Sequence, residues 1–100
     1  KHAGHTCGGC QIHVIDRTTF RPVITGVAII AELRRLLGND FAWRPPPYEY
    51  EREKLPIDIL AGASDLRMQI EAGTPPADIA ASWRDDEAGF TRDRLPYLLY

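Results

Sequence analysis

No block of like charge, no apolar run of membrane length and no second cysteine pair occurs in this 100-residue chain. Its 12 basic and 14 acidic residues are scattered and give a formal net charge of −2. Nucleic-acid binding draws its affinity from a clustered basic face that releases counterions, so no nucleic-acid partner is expected. The longest nearly apolar run, Val23 to Ala31, is far short of the roughly 20 residues that cross a bilayer, so no transmembrane segment is expected. The opening KHAGHT is polar with no apolar segment behind it, unlike a signal peptide.

What is present suits one domain with its own core, since 44% of the residues are hydrophobic. The first residue is not Met, and the last five, PYLLY, are too apolar for a free tail. The expectation is a fragment whose N-terminal part is missing. On that view the lack of a targeting signal says nothing about compartment.

Alternation in CQIHVID puts Ile12 and Val14 on one side and Gln11, His13 and Ile15 on the other, predicting a strand near 10–16. Pro22 suits the first turn of a helix. Val23, Val27, Ile30, Leu33 and Leu37 carry that helix over 22–37, and Gly38-Asn39 stops it. The proline run Pro45 to Pro47 forbids helix around it. A short strand is expected at 41–44 and an edge strand at 48–50. Residues 57–62 read as a short helix closed by Gly62. Ser64 caps a helix over 64–72, and Thr74 with Pro75 opens another over 75–93, with Ile79, Trp83 and Phe90 on its buried side. The closing residues 97–100 read as extended. The expected fold class is α+β, a small sheet covered by three main helices.

The stretch HTCGGCQIH sets two cysteines around two glycines, with a histidine at each end. A redox CxxC follows a strand and opens a helix, whose dipole lowers the thiol pKa; here a strand follows Cys10, so the order is inverted. Zinc needs about four ligands in a tetrahedron. Beyond Cys7 and Cys10 only His2, His5 and His13 are at hand, and an extended backbone puts His13 ~10 Å from Cys10. The expectation is therefore no metal and no cofactor, with Gly8-Gly9 serving a tight turn. A disulfide and a reduced pair are equally compatible with the sequence.

Several spaced words, CGG.QIHV.D, F.PV..G, F.W....YEY, PIDIL.G and the closing YLLY, resemble the C-terminal region of the NamZ-like exo-β-N-acetylmuramidases. This bacterial family was long described as a domain of unknown function. The likeness covers the whole chain but only the final part of a typical member. Cys10 departs from the pattern, in which an apolar residue often follows the Gly-Gly, so the family does not require the cysteine pair.

The resemblance implies a two-part enzyme in which a Rossmann-like N-terminal part, absent here, packs beside this companion domain. The family removes terminal N-acetylmuramic acid from peptidoglycan fragments, and an exported setting, periplasmic or extracellular, is favoured. Glycoside hydrolysis needs two positioned carboxyl groups, and these are expected on the absent part, leaving the fragment inactive with its catalytic residues unknown. Sugar sites combine aromatic faces with polar groups. Arg44, Tyr48, Glu49 and Tyr50 offer that mixture beside the prolines, and an arginine suits the lactyl carboxylate of a muramic acid. Asp58 joins them as a candidate sugar contact, with helix capping as its simpler role. The alternatives are a non-catalytic binding or interaction module and a small metal-binding domain. A face of Phe41, Trp43, Tyr48, Tyr50 and Tyr97 to Tyr100 is expected to be exposed once the N-terminal part is removed and to drive self-association of the fragment. The first helix, as the fragment's own core, is not expected to contribute.

Overall fold

Helix begins where the sequence places it. The structure, a computed structural model, describes residues 2–99. In α1 (Pro22–Leu37) a proline takes the first position, where its missing N–H costs no bond. The Thr25 N–H and Oγ1 both donate to Arg21 O, at 3.0 and 2.8 Å. Gly38 ends the helix at φ 52°, and its N–H returns to Arg34 O. Arg34 and Arg35 occupy the last turn, beside the negative end of the helix dipole.

A 3-10 turn (Gly38–Asp40) leads into the proline segment, and the remaining helices follow in quick succession. These are α2 (Pro56–Ala61), α3 (Asp65–Glu71), α4 (Pro76–Ser82) and α5 (Arg84–Arg94), then a 3-10 turn at Leu95–Tyr97. Each junction has a local cause. Gly62 closes α2 at φ 84°, a left-handed torsion that glycine alone adopts freely. After α3 the Thr74 N–H reaches Gln69 O and the Gly73 N–H reaches Ile70 O, with Gly73 at φ 75°. This double return is the Schellman ending, and Pro75 and Pro76 then force a fresh start. The expected opening of this helix at Thr74 moves one residue on, with Pro75 as the cap and Pro76 first in the helix.

The core is formed where α1 crosses α3 and α4. Val27, Ile70 and Ile79 are buried there, and Ile24, Ile30, Ala31, Leu66, Trp43 and Trp83 close around them. Burying one such aliphatic side chain contributes about 1.5–3 kcal/mol. α2 packs on α3, outside this centre.

No sheet forms among the described residues, which overturns the α+β expectation; the fold is helical. The segments near 10–16 and 41–44 have no strand pairing, and alternation alone cannot supply the neighbouring backbone that a strand needs. Tyr48 and Glu51 do exchange both backbone hydrogen bonds, at 2.9 and 3.0 Å, but as the ends of one tight turn. Leu95–Tyr97 is a 3-10 turn in place of the expected terminal strand, whose last residue, Tyr100, lies outside the described residues. The expected single helix over 75–93 is two. Ser82 Oγ donates to Ile79 O at 2.7 Å, competing with the helix ladder, and Trp83 folds inward at the break. Ile79 and Trp83 face the core as expected, whereas Phe90 on α5 is 67% exposed.

The surface is large for the mass. A compact monomer of this size exposes about 5,700 Å², against 8748 Å² here. The radius of gyration, 16.8 Å, also exceeds the ~13 Å of a compact 100-residue domain.

Candidate functional site

The proline segment delivers the chain into a narrow turn. The peptide bond between Pro46 and Pro47 is cis, and Tyr48 to Glu51 reverses direction immediately after it. Glu49 sits at the tip with φ 52°, left-handed for a residue with a β-carbon. Tyr50 beside it is 99% exposed. The Arg44 guanidinium lies 5.9 Å from the Tyr48 ring centroid, within cation–π range. Of the five residues expected to contact sugar, Tyr48, Glu49 and Tyr50 share this turn and Arg44 lies against it.

Glu51 secures the descending side of that turn. Its Oε1 accepts the backbone N–H groups of Arg52, Glu53 and Lys54, at 2.8, 2.8 and 3.3 Å. Bonds from the Glu53 and Lys54 amides hold its carboxyl below the usual glutamate pKa, and the Lys54 charge adds to the effect.

Asp58 stands apart, in the first turn of α2. It does not cap that helix. Instead Arg67 of α3 donates through Nε to both its carboxylate oxygens, at 2.8 and 3.2 Å. Arg67 Nη1 also donates to both oxygens of Glu71, each at 3.2 Å. The Trp43 indole N–H completes the chain by donating to Glu71 Oε1 at 2.8 Å. The bonds to Asp58, then those to Glu71, raise the Arg67 pKa further. Arg67 thus joins α2 to α3, and Glu71 carries the link on to Trp43, ahead of the prolines.

A groove of about 490 Å³ opens beside this network. Glu51, Lys54, Asp58 and Ser64 give it polar groups, and Ile59, Gly62 and Ala63 complete its lining. Glu51 is what connects the protruding turn to Asp58. Glu71 and Arg67 escaped the sequence reading, although their i,i+4 spacing on a helix was a usable signal. Lys54 carried no such signal.

Cys7 and Cys10 are both exposed and free, with Cys7 Sγ donating weakly to His5 O at 3.8 Å. Among the described residues no three His, Cys, Asp or Glu side chains are grouped to hold a metal. Among the described residues no helix is long and apolar enough to cross a membrane.

Of the apolar face expected from the sequence, Phe41 and Trp43 turn inward, meeting edge to face with centroids 5.0 Å apart. Tyr50 and Tyr97 remain outside. Contrary to the expectation for the first helix, Leu33, Leu36 and Leu37 of α1 are exposed as well. The helix has two apolar faces, and the core uses one.

The chain is similar to peptidoglycan β-N-acetylmuramidase NamZ of Bacillus subtilis (strain 168), with 33% identity over 100 residues. The match covers all of this chain and 22% of that relative. No solved structure matches it. The family model for the C-terminal part of exo-β-N-acetylmuramidase NamZ matches residues 1–100 without remainder. The chain therefore belongs to the NamZ C-terminal family.

Proposed function

We propose that this chain is the carboxy-terminal domain of a peptidoglycan glycosidase that removes terminal N-acetylmuramic acid, and that it forms one wall of the sugar cleft. On this reading the catalytic carboxylates belong to a Rossmann-like part that precedes it in the same polypeptide. The observation that carries the proposal is the full-length match to a relative named as a peptidoglycan β-N-acetylmuramidase.

The chemistry of the site supports a binding role over a catalytic one. A glycosidase acid needs its pKa raised, so that it holds a proton near neutrality. Glu51 is shifted the other way by the amides it accepts. Both oxygens of Asp58 are engaged by Arg67, which suits a positioned acceptor rather than a nucleophile. Arg44, by contrast, is exposed on a stiff segment beside the Tyr48 ring. A ring to cover a sugar face and a guanidinium to pair with a lactyl carboxylate are what a muramic acid site requires.

The test uses a chromogenic muramide. The 100-residue chain should release no muramic acid, whereas the complete polypeptide should. In the latter, Arg44→Met should raise KM about tenfold, the scale of one lost charge-assisted hydrogen bond, with kcat nearly kept. Turnover by the chain alone, abolished by Glu49→Gln, would place the chemistry within these residues and sink the proposal.

A further inference from the structure

We propose that residues 9–15 form a β-strand that pairs with the edge of a sheet in the preceding part of the same polypeptide, and that the outer face of α1 docks beside it. The inference rests on the reading above only in placing this chain at the carboxy-terminal end of a longer protein.

The first argument is the backbone. Among the described residues, no hydrogen bond joins residues 8–15 to any other residue. Asp16 then ends the segment, its Oδ1 accepting the Thr18 N–H at 2.9 Å and the Thr18 hydroxyl at 2.7 Å. An exposed stretch of unpaired N–H and C=O groups, stopped by a turn, is a template for strand addition.

The side chains agree. Ile12, Val14 and Ile15 are 56%, 45% and 98% exposed. β-Branched residues are suited to a strand covered by another layer, and among the described residues all three stay substantially exposed. A groove of about 510 Å³ on the outer face of α1, lined by Thr25, Ala28, Ile29, Glu32, Leu33 and Leu36, reaches the segment at Cys10. The unpaired segment and the unused helix face therefore meet at Cys10.

Area and length identify the occupant. The exposed surface exceeds that of a compact monomer by about 3,000 Å², whereas a standard interface takes about 800 Å² from each partner. The chain accounts for 22% of the relative's length and matches the C-terminal family model. The bulk of such a polypeptide arrives at this segment from its amino-terminal side. The partner is thus tethered directly to the strand, at an effective concentration that no separate molecule matches.

Hydrogen exchange on the complete polypeptide tests this. At least every second amide from Gln11 to Ile15 should exchange ~100-fold or more slowly than in an unstructured peptide of the same sequence, independent of protein concentration. Val14→Pro, or Leu36→Asp on the helix face, should abolish the protection. Exchange at peptide rates in the folded, unmutated protein would overturn the proposal, as would protection that grows with concentration, which denotes a second copy. Muramidase activity, read on the same sample, separates the two proposals. Protection in an inactive protein upholds the strand and counts against the glycosidase; activity without protection does the reverse.

Discussion

Arg67 holds Asp58 from nine residues away, binding both carboxylate oxygens through one nitrogen across the turn at Gly62. Its Nη1 also binds Glu71, which in turn accepts the Trp43 indole N–H, so one network ties α2 and the Trp43 segment to α3. Removing Arg67 leaves two carboxylates facing a vacated site. Arg67→Met should lower Tm by several degrees and shift Trp43 emission to the red. Arg35→Met breaks an exposed pair with Glu32 and should change Tm little, since surface pairs contribute almost nothing. Equal effects from both substitutions would refute the clamp.

The core is small enough for one residue to matter. Ile79 is fully buried at the crossing of α1 and α4, so Ile79→Ala should cost about 2–5 kcal/mol. Phe90→Ala, on the exposed side of α5, should stay within about 0.5 kcal/mol. Denaturant unfolding of the two variants distinguishes them. A large loss at Phe90 would mean that α5 packs where its exposure says it does not.

Acid should loosen the protruding turn before it unfolds the helices. The folded pKa of Glu51 lies below the usual glutamate value of 4.5. Its contribution is therefore complete above that value and is lost as pH falls through the lower, folded one. The amide resonances of Arg52, Glu53 and Lys54 should titrate together with a midpoint under 4.5, and Glu51→Ala should remove the transition. A midpoint at or above 4.5 would exclude the three amide bonds.

The cysteine pair should be without metal. Purified protein should carry no stoichiometric zinc, and a chelator should leave Tm unchanged. One tightly held metal per chain, by elemental analysis, would reverse this and restore HTCGGCQIH as a site.

The fold was legible where one residue decides a boundary. Pro22 and Gly38 bracket α1, and Gly62 and Gly73 end α2 and α3, because their allowed torsions are local properties. The sheet was misread for a non-local reason. Ile12 and Val14 encode which side of a strand faces cover, but no residue in the segment encodes whether a second strand is present. The break at Trp83 depends on a tryptophan finding the core, which periodicity does not reveal. At the site, the prolines rule out helix, but the reversal at Tyr48 to Glu51 replaces the edge strand expected at 48–50. The Asp58–Arg67 pair was not legible either, because it depends on the direction in which α3 leaves Gly62.

Gly62 also separates shape from chemistry. A β-carbon there would meet nothing within 4 Å, so no steric crowding keeps the position open. The φ of 84° is what disfavours every other residue, by roughly 1 kcal/mol. The direction in which α3 leaves α2 thus starts from a torsion at Gly62, and the Asp58–Arg67 pair holds the two helices at that angle. Substitutions at Lys54, Ala63 or Ser64 on the groove walls should therefore change the chemistry of the groove while its opening keeps its dimensions.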